Sequence, residues 1–179
     1  MIKPLRSFLA RFRRDQRGLS AVEFAIIAPL MILLYLGSVE LSLALSIDRK
    51  VTSTASAIAD LVAQDDVITD SEIADILSSG NAIISPFPAD PLRIRVSSVL
   101  INNDDENEVQ WSDAMGTAAY GEGTAVDIPT GVLAGNNSVI MVEVEYRHET
   151  IFNELGIEAF EISETFYLRP RRSIVVSRS

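Results

Sequence analysis

A single carboxylate, Glu23, stands at the mouth of a long apolar run: Phe24 to Val39 is sixteen residues without a charge. A carboxylate at the centre of a bilayer costs about 3 kcal/mol on insertion scales. Near an interface it can snorkel toward water, so position alone leaves both an accidental and a functional charge open. Other groups suited to chemistry are sparse. His148 is the sole histidine and sits among Glu145, Arg147 and Glu149 at the end of a strand pattern. With no second histidine and no motif, no Ser-His-Asp arrangement can be argued, and His148 reads as an exposed strand residue. There is no cysteine, which excludes a disulfide framework, a thiol nucleophile and cysteine-ligated zinc. Asn103-Asp104-Asp105-Glu106 offers the hard oxygens that suit calcium, but lacks the spacing and glycine of an EF-hand loop. It reads as a solvated turn, and Asp65, Asp66 and Asp70 read as acidic surface. Gly116, Gly121 and Gly123 flank no strand-to-helix phosphate loop and read as loop glycines. The expectation is a protein without catalytic residues, metal ligands or cofactor, and so not an enzyme.

The element that carries Glu23 is a membrane-length helix. Apolar character runs from Leu19 to Ile47 with only Glu23 and Glu40 charged, and about twenty apolar residues suffice to cross a bilayer core. Met1 to Gly18 holds six basic residues and one acid, a balance of +5, while Leu19 to Ser179 holds nine basic and 24 acidic residues, a balance of −15. The positive-inside rule then predicts a single pass, with Met1–Gly18 cytoplasmic and the acidic body outside. A cleaved secretory signal fits poorly, because Ala55-Ser56-Ala57 lies too far beyond the apolar stretch. Arg13-Arg14 lacks the flanks of a twin-arginine signal. The acidic body repels phosphate backbones, which argues against a nucleic-acid partner.

The apolar period continues beyond the span. Ala44, Ile47, Val51, Ala55, Ile58 and Val62 recur at three- and four-residue steps, which predicts one amphipathic face on a helix reaching about Ala63. An unbroken helix from Leu19 would run roughly 68 Å, with Pro29 a place for a kink. A membrane helix followed by a separate surface helix is the alternative. Thr69 to Glu72 reads as a capping box opening a short helix with Ile73, Ile76 and Leu77 on its apolar face and Gly80 closing it. Pro86, Pro88 and Pro91 make a linker. The period then becomes two. Leu92–Ile101, the turn Asn102–Asn107 and Glu108–Trp111 read as a hairpin, with Ser138–Tyr146 and Phe160–Leu168 as two more strands. Ile140, Val142, Val144 and Tyr146 share one face of their strand, Glu143 and Glu145 the other. The predicted fold class is α+β: a long membrane-spanning helix leading into a domain where a helix packs on a small antiparallel sheet. The segments expected are 1–18 leader, 19–63 spine helix, 64–91 short helix and proline-rich linker, and 92–179 β-rich extracytoplasmic domain. Arg169-Pro170-Arg171-Arg172 reads as a solvated tail that protects a sheet edge, or as a contact for an acidic neighbour.

One local pattern is more specific. A basic leader ends at Gly18, the apolar segment starts at Leu19, and Glu23 and Phe24 are the fifth and sixth residues after the glycine. In these places, and across "RGLSAVEFAIIAPLMILLY", the chain resembles the type IV prepilin superfamily, and within it the TadE/TadG-like pseudopilins (minor pilins) of Tad/Flp pili. The segment "SETFYLRPRRS" (Ser163–Ser173) also looks like members of this family. The chain is short for a von Willebrand A-like domain and holds no Asp-x-Ser-x-Ser, which aligns it with the shorter TadE-like class. The resemblance implies a pilin-like fold and cleavage between Gly18 and Leu19 by a membrane-embedded prepilin peptidase. It also implies an assembly role for Glu23 and Phe24: the glutamate would pair with the freed amine of a neighbouring subunit, since opposite charges in a low-dielectric bundle are costly unless paired. The implied partners are the prepilin peptidase, other Tad pilins and minor pilins, the inner-membrane assembly platform and membrane lipid. The implied location is the inner membrane, with the C-terminal domain periplasmic and the pilus or cell surface as a destination after assembly. The alternative function is an uncleaved single-pass envelope protein whose periplasmic domain binds a partner or ligand. A membrane-tethered enzyme is a third reading, disfavoured by the lone histidine and absent cysteine.

Overall fold

A computed structural model of the chain describes residues 17–101, 107–129, 132, 138–150, 152–153 and 158–179. Met1–Gln16 and the acidic turn Asn103–Glu106 lie outside the described residues. The chain divides into two units, the first ending at Ser42 and the second running Leu43–Ser179.

Helix α1 (Arg17–Ala63) is continuous through Pro29, so the one-helix expectation holds over the two-helix alternative. Its C-terminal third shows the period read from the sequence. Ile47, Val51, Ala55, Ile58, Ala59 and Val62 are buried, while Asp48, Arg49 and Leu61 face outward. Fully burying a side chain such as Ile or Val contributes about 2 kcal/mol, so this stripe ties the helix to the core. Thr54 is buried on the same face, and its hydroxyl donates to the Lys50 carbonyl at 2.8 Å. After Ala63 the chain tightens into a turn, enters the two-residue strand β1 (Val67–Ile68), and starts α2 (Asp70–Ile84).

The capping box is present as expected. The Thr69 hydroxyl accepts from the Glu72 amide at 3.4 Å, and the Thr69 amide donates to the Glu72 carboxylate at 2.9 Å. The Thr69 amide, and then the Thr69 hydroxyl donating to the same carboxylate at 2.7 Å, hold the Glu72 carboxyl below its ordinary value. The expected helix stop at Gly80 is wrong. Gly80 lies inside α2 and is buried, and the helix ends four residues later at Ile84. A Cβ at position 80 would collide with the Ile94 Cδ1 and stand 3.4 Å from the Thr54 Cγ2. The glycine is there for close packing rather than for chain reversal.

The sheet is four antiparallel strands, β2 (Leu92–Ile101), β3 (Asn107–Met115), β4 (Ser138–His148) and β5 (Phe160–Leu168), ordered β3-β2-β4-β5. The β2–β3 register shifts between Ser98 and Val99. Alternation sorts the two faces. Leu92, Ile94, Val96, Ile140, Val142, Val144 and Tyr146 join the buried faces of both helices in one core cluster. The opposite face carries a second, smaller core of Val99, Val109, Ile128, Val139 and Met141, packed by Tyr120, Val126 and Tyr167. The loop bearing the glycines therefore lies over the sheet. Gly116 takes φ +75, and a Cβ there would meet the Leu92 carbonyl oxygen at 2.8 Å. The same loop runs along the outer edge of β3, where the Val109 amide donates to the Thr124 carbonyl at 3.0 Å.

The C-terminal arginines are not a solvated tail. The Arg171 amide donates to the Ala63 carbonyl at 2.9 Å, satisfying one of the acceptors left over at the end of α1. The Arg171 side chain pairs with Asp60, and Arg169 donates to the Val132 carbonyl at 3.0 Å. Val176 is fully buried, and its carbonyl accepts from the Trp111 indole at 2.7 Å. Strand β6 (Ser177–Arg178) then pairs parallel to β1. Arg178 grips Asp113 through two nitrogens at 2.8 and 3.1 Å, and Asp70 at 2.8 Å. The Asp113 bonds are the first cause of the upward shift of its guanidinium. Polar partners supplied by α1, β1, α2 and β3 capture this segment, which composition alone made look free.

Candidate functional site: the apolar helix and its glutamate

The first turns of α1 hold all four residues singled out by the sequence, Gly18, Leu19, Glu23 and Phe24. Leu19 and Glu23 are four apart, so they share one face of the helix, with Phe24 about 100° further round. Nothing comes within 4 Å of a Cβ built on Gly18. The Gly18–Leu19 peptide lies in the first described turn of the helix. Glu23 is exposed, and Phe24 is 72 % exposed.

Beyond them the surface is apolar all round. Ile26, Ile27, Leu30, Met31, Ile32, Leu33, Leu34 and Tyr35 are each more than half exposed. An eighteen-residue window of this helix has mean hydropathy 2.2 and no buried residue. The polar side chains inside it serve their own backbone: Ser38 donates to the Tyr35 carbonyl at 2.7 Å, and Ser42 to the Ser38 carbonyl at 2.9 Å. Glu40, the second carboxylate of the stretch, is 9 % exposed. A helix satisfies most of its backbone groups internally, and with an apolar exterior it suits hydrocarbon.

The remaining sequence candidates fall elsewhere. His148 is half-buried rather than exposed, with its ring edge-on to Phe160 at 5.3 Å between centroids. Among the described residues, no group of three or more His, Cys, Asp or Glu side chains is placed to hold a metal ion. One constellation escaped sequence reasoning: Arg95 donates to Glu143 at 3.0 Å and to the Ala118 carbonyl at 2.8 Å, and lies over the Tyr120 ring. Its signal was present as complementary alternation, Arg93 and Arg95 in β2 against Glu145 and Glu143 in β4. The register sets Arg93 opposite Glu145 and Arg95 opposite Glu143.

The architecture is an α+β chain whose N-terminal helix is long and apolar enough to cross a membrane. Residues 18–60 match the family model described as TadE-like protein, so this segment is TadE-like, in agreement with the resemblance seen in its residues. No curated protein and no solved structure matches the chain. The match covers 43 of the 179 residues and begins at Gly18.

Proposed function

We propose that this protein is a minor pilin or pseudopilin of a Tad-type pilus, non-enzymatic, processed after Gly18 and acting in assembly or priming of the filament. The observation that carries the reading is a shared boundary. The TadE-like match begins at Gly18, and the uncharged run begins at Phe24, one residue past Glu23. Cleavage would turn Leu19 into a charged terminus one helical turn from Glu23. In a bundle of apolar helices, an amine and a carboxylate each need a partner, and pairing across subunits sets their stagger. The uncharged run after Phe24 keeps the helix in the inner membrane until it is recruited. The acidic second unit is then periplasmic and free to meet other minor subunits.

The test is the intact mass of the full chain purified from membranes of cells with and without the prepilin peptidase. The expected result is loss of Met1–Gly18 only where the peptidase is present. An uncut chain in both strains would overturn processing and favour a plain single-pass anchor with a partner-binding domain.

A further inference from the structure

The sheet face away from the helices carries an open cleft of about 400 Å³, lined among others by Tyr120, Asp127, Met141, Glu143, Thr165 and Tyr167. Its chemistry is one-sided, with two phenol rings and two carboxylates. The molecule already shows what such a surface holds. The Arg95 guanidinium lies 4.2 Å from the centroid of the Tyr120 ring while bonding Glu143 at 3.0 Å. A ring face and a carboxylate sharing one planar cation is a favourable arrangement, and it is met here within the chain itself. The Tyr120 hydroxyl adds a bond to the other Glu143 oxygen at 3.2 Å, so ring and carboxylate are held in place before any ligand arrives.

Arg95 neutralises one carboxylate of the two. Asp127 is exposed, and no hydrogen bond or ion pair joins it to another described residue. Among the described residues, the cleft therefore keeps one carboxylate without a cation paired to it, beside Tyr167. The Tyr167 phenol is pushed above its ordinary range, first by burial and then by the fields of Glu143 and Asp127. An anion entering this space meets two carboxylates. A cation meets the exposed Asp127 carboxylate, the Tyr167 ring and a Tyr120 ring that already holds Arg95, with the Thr165 hydroxyl as a further acceptor.

We propose that the cleft binds one organic cation, an ammonium or guanidinium group, between Asp127 and the rings of Tyr120 and Tyr167. Such a group is carried both by lysine and arginine side chains of a partner protein and by free amines, and the chemistry of recognition is the same. The site goes beyond the pilin reading and does not depend on cleavage after Gly18 or on assembly. Its failure would leave that reading untouched.

The experiment uses the full chain in a non-ionic maltoside detergent, with ligand-observed saturation-transfer NMR as the readout. The probes are methylguanidinium, n-butylammonium, and short blocked peptides bearing one central lysine or arginine. Saturable binding is expected, weakened roughly fivefold by Asp127→Asn, as for loss of one partly exposed charge contact. Tyr167→Leu should weaken it by roughly threefold, as for a lost cation–ring contact. Glu122→Gln, an exposed acid outside the lining, should change nothing. Trp111 fluorescence confirms that each variant is folded. Peptides binding well above the small cations would identify a partner's side chain as the source. Equal binding would identify a free amine. No saturable binding by any probe, or binding indifferent to both Asp127→Asn and Tyr167→Leu, overturns the proposal.

Discussion

Helix α1 contains two stretches of opposite exposure, Leu19–Leu34 with thirteen apolar residues in sixteen and Ile47–Val62 with eight in sixteen. Between Leu19 and Leu34 the large side chains stand free, with Leu19 at 57 %, Phe24 at 72 %, Ile27 at 54 % and Leu34 at 61 %. Between Ile47 and Val62 the inward residues Ile47, Val51, Ala55, Ile58 and Val62 are 1 % exposed or less. Both are helical, the first even through Pro29, so helix formation does not distinguish them. The arrangement around the axis does. The first stretch is apolar on every side and has no polar face to turn toward water. The second confines its apolar residues to one stripe, with Asp48, Arg49, Lys50 and Asp60 interleaved among them. A stripe is matched by one packing partner, whereas an all-round surface calls for a solvent.

Variants in the two stretches break or sharpen this contrast. Glu23→Ala should have the largest effect, loss of pilus assembly, with the protein still in the membrane. Unchanged piliation in electron micrographs would remove the assembly role from Glu23. The same variant should leave the domain's stability within about 0.5 kcal/mol, because Glu23 is an exposed residue outside the core. Ile58→Ala should cost about 2–5 kcal/mol in denaturant unfolding followed by Trp111 fluorescence, since it empties a fully buried site. Ile27→Ala, in the exposed stretch, should shift that transition by less than about 0.5 kcal/mol. Equal effects at the two sites would abolish the distinction.

Smaller effects are expected where the domain is held by polar contacts. Arg178→Met keeps length and removes the grip on Asp113, and should cost about 2 kcal/mol, as for hydrogen bonds to a charged group. Limited proteolysis should then nick the C-terminal segment before the sheet opens. Thr69→Ala should cost about 1 kcal/mol at neutral pH through loss of the helix cap. That cost should shrink in acid. Glu72 is held below its ordinary value near 4.5, first by the Thr69 amide and then by the Thr69 hydroxyl. Its contribution is therefore complete above the ordinary value and is lost as pH falls through the lower folded value. Unfolding midpoints of the two proteins measured on either side of that range would converge in acid. A constant gap would mean that the bond from the Thr69 hydroxyl to the carboxylate contributes nothing to the cap.

Much of the architecture could be read from short-range pattern. The three-and-four period gave α1 its buried face, Thr69 and Glu72 announced α2, and the two-residue period located β2, β4 and β5. For Phe160–Leu168 the expected limits and the observed strand coincide. Glu23 could be picked out because an uncharged run isolates it. What escaped had no local signature. Gly80 looks the same in sequence whether it ends a helix or admits Ile94, and only the approach of β2 decides. Strand β6 is two residues long, too short to show any period, and Arg178 finds Asp70 and Asp113 more than sixty residues away. The cleft is made by a loop folding back over the sheet, and its walls come from three separate segments. Sequence alone therefore determined which faces are apolar, where helices and strands run, and that a carboxylate guards the apolar helix. Tertiary structure alone decided strand order, the capture of the C-terminal arginines and the union of Asp127 with Tyr120 and Tyr167. Periodicity is a property of neighbours along the chain, whereas these contacts depend on chain closure over long separations.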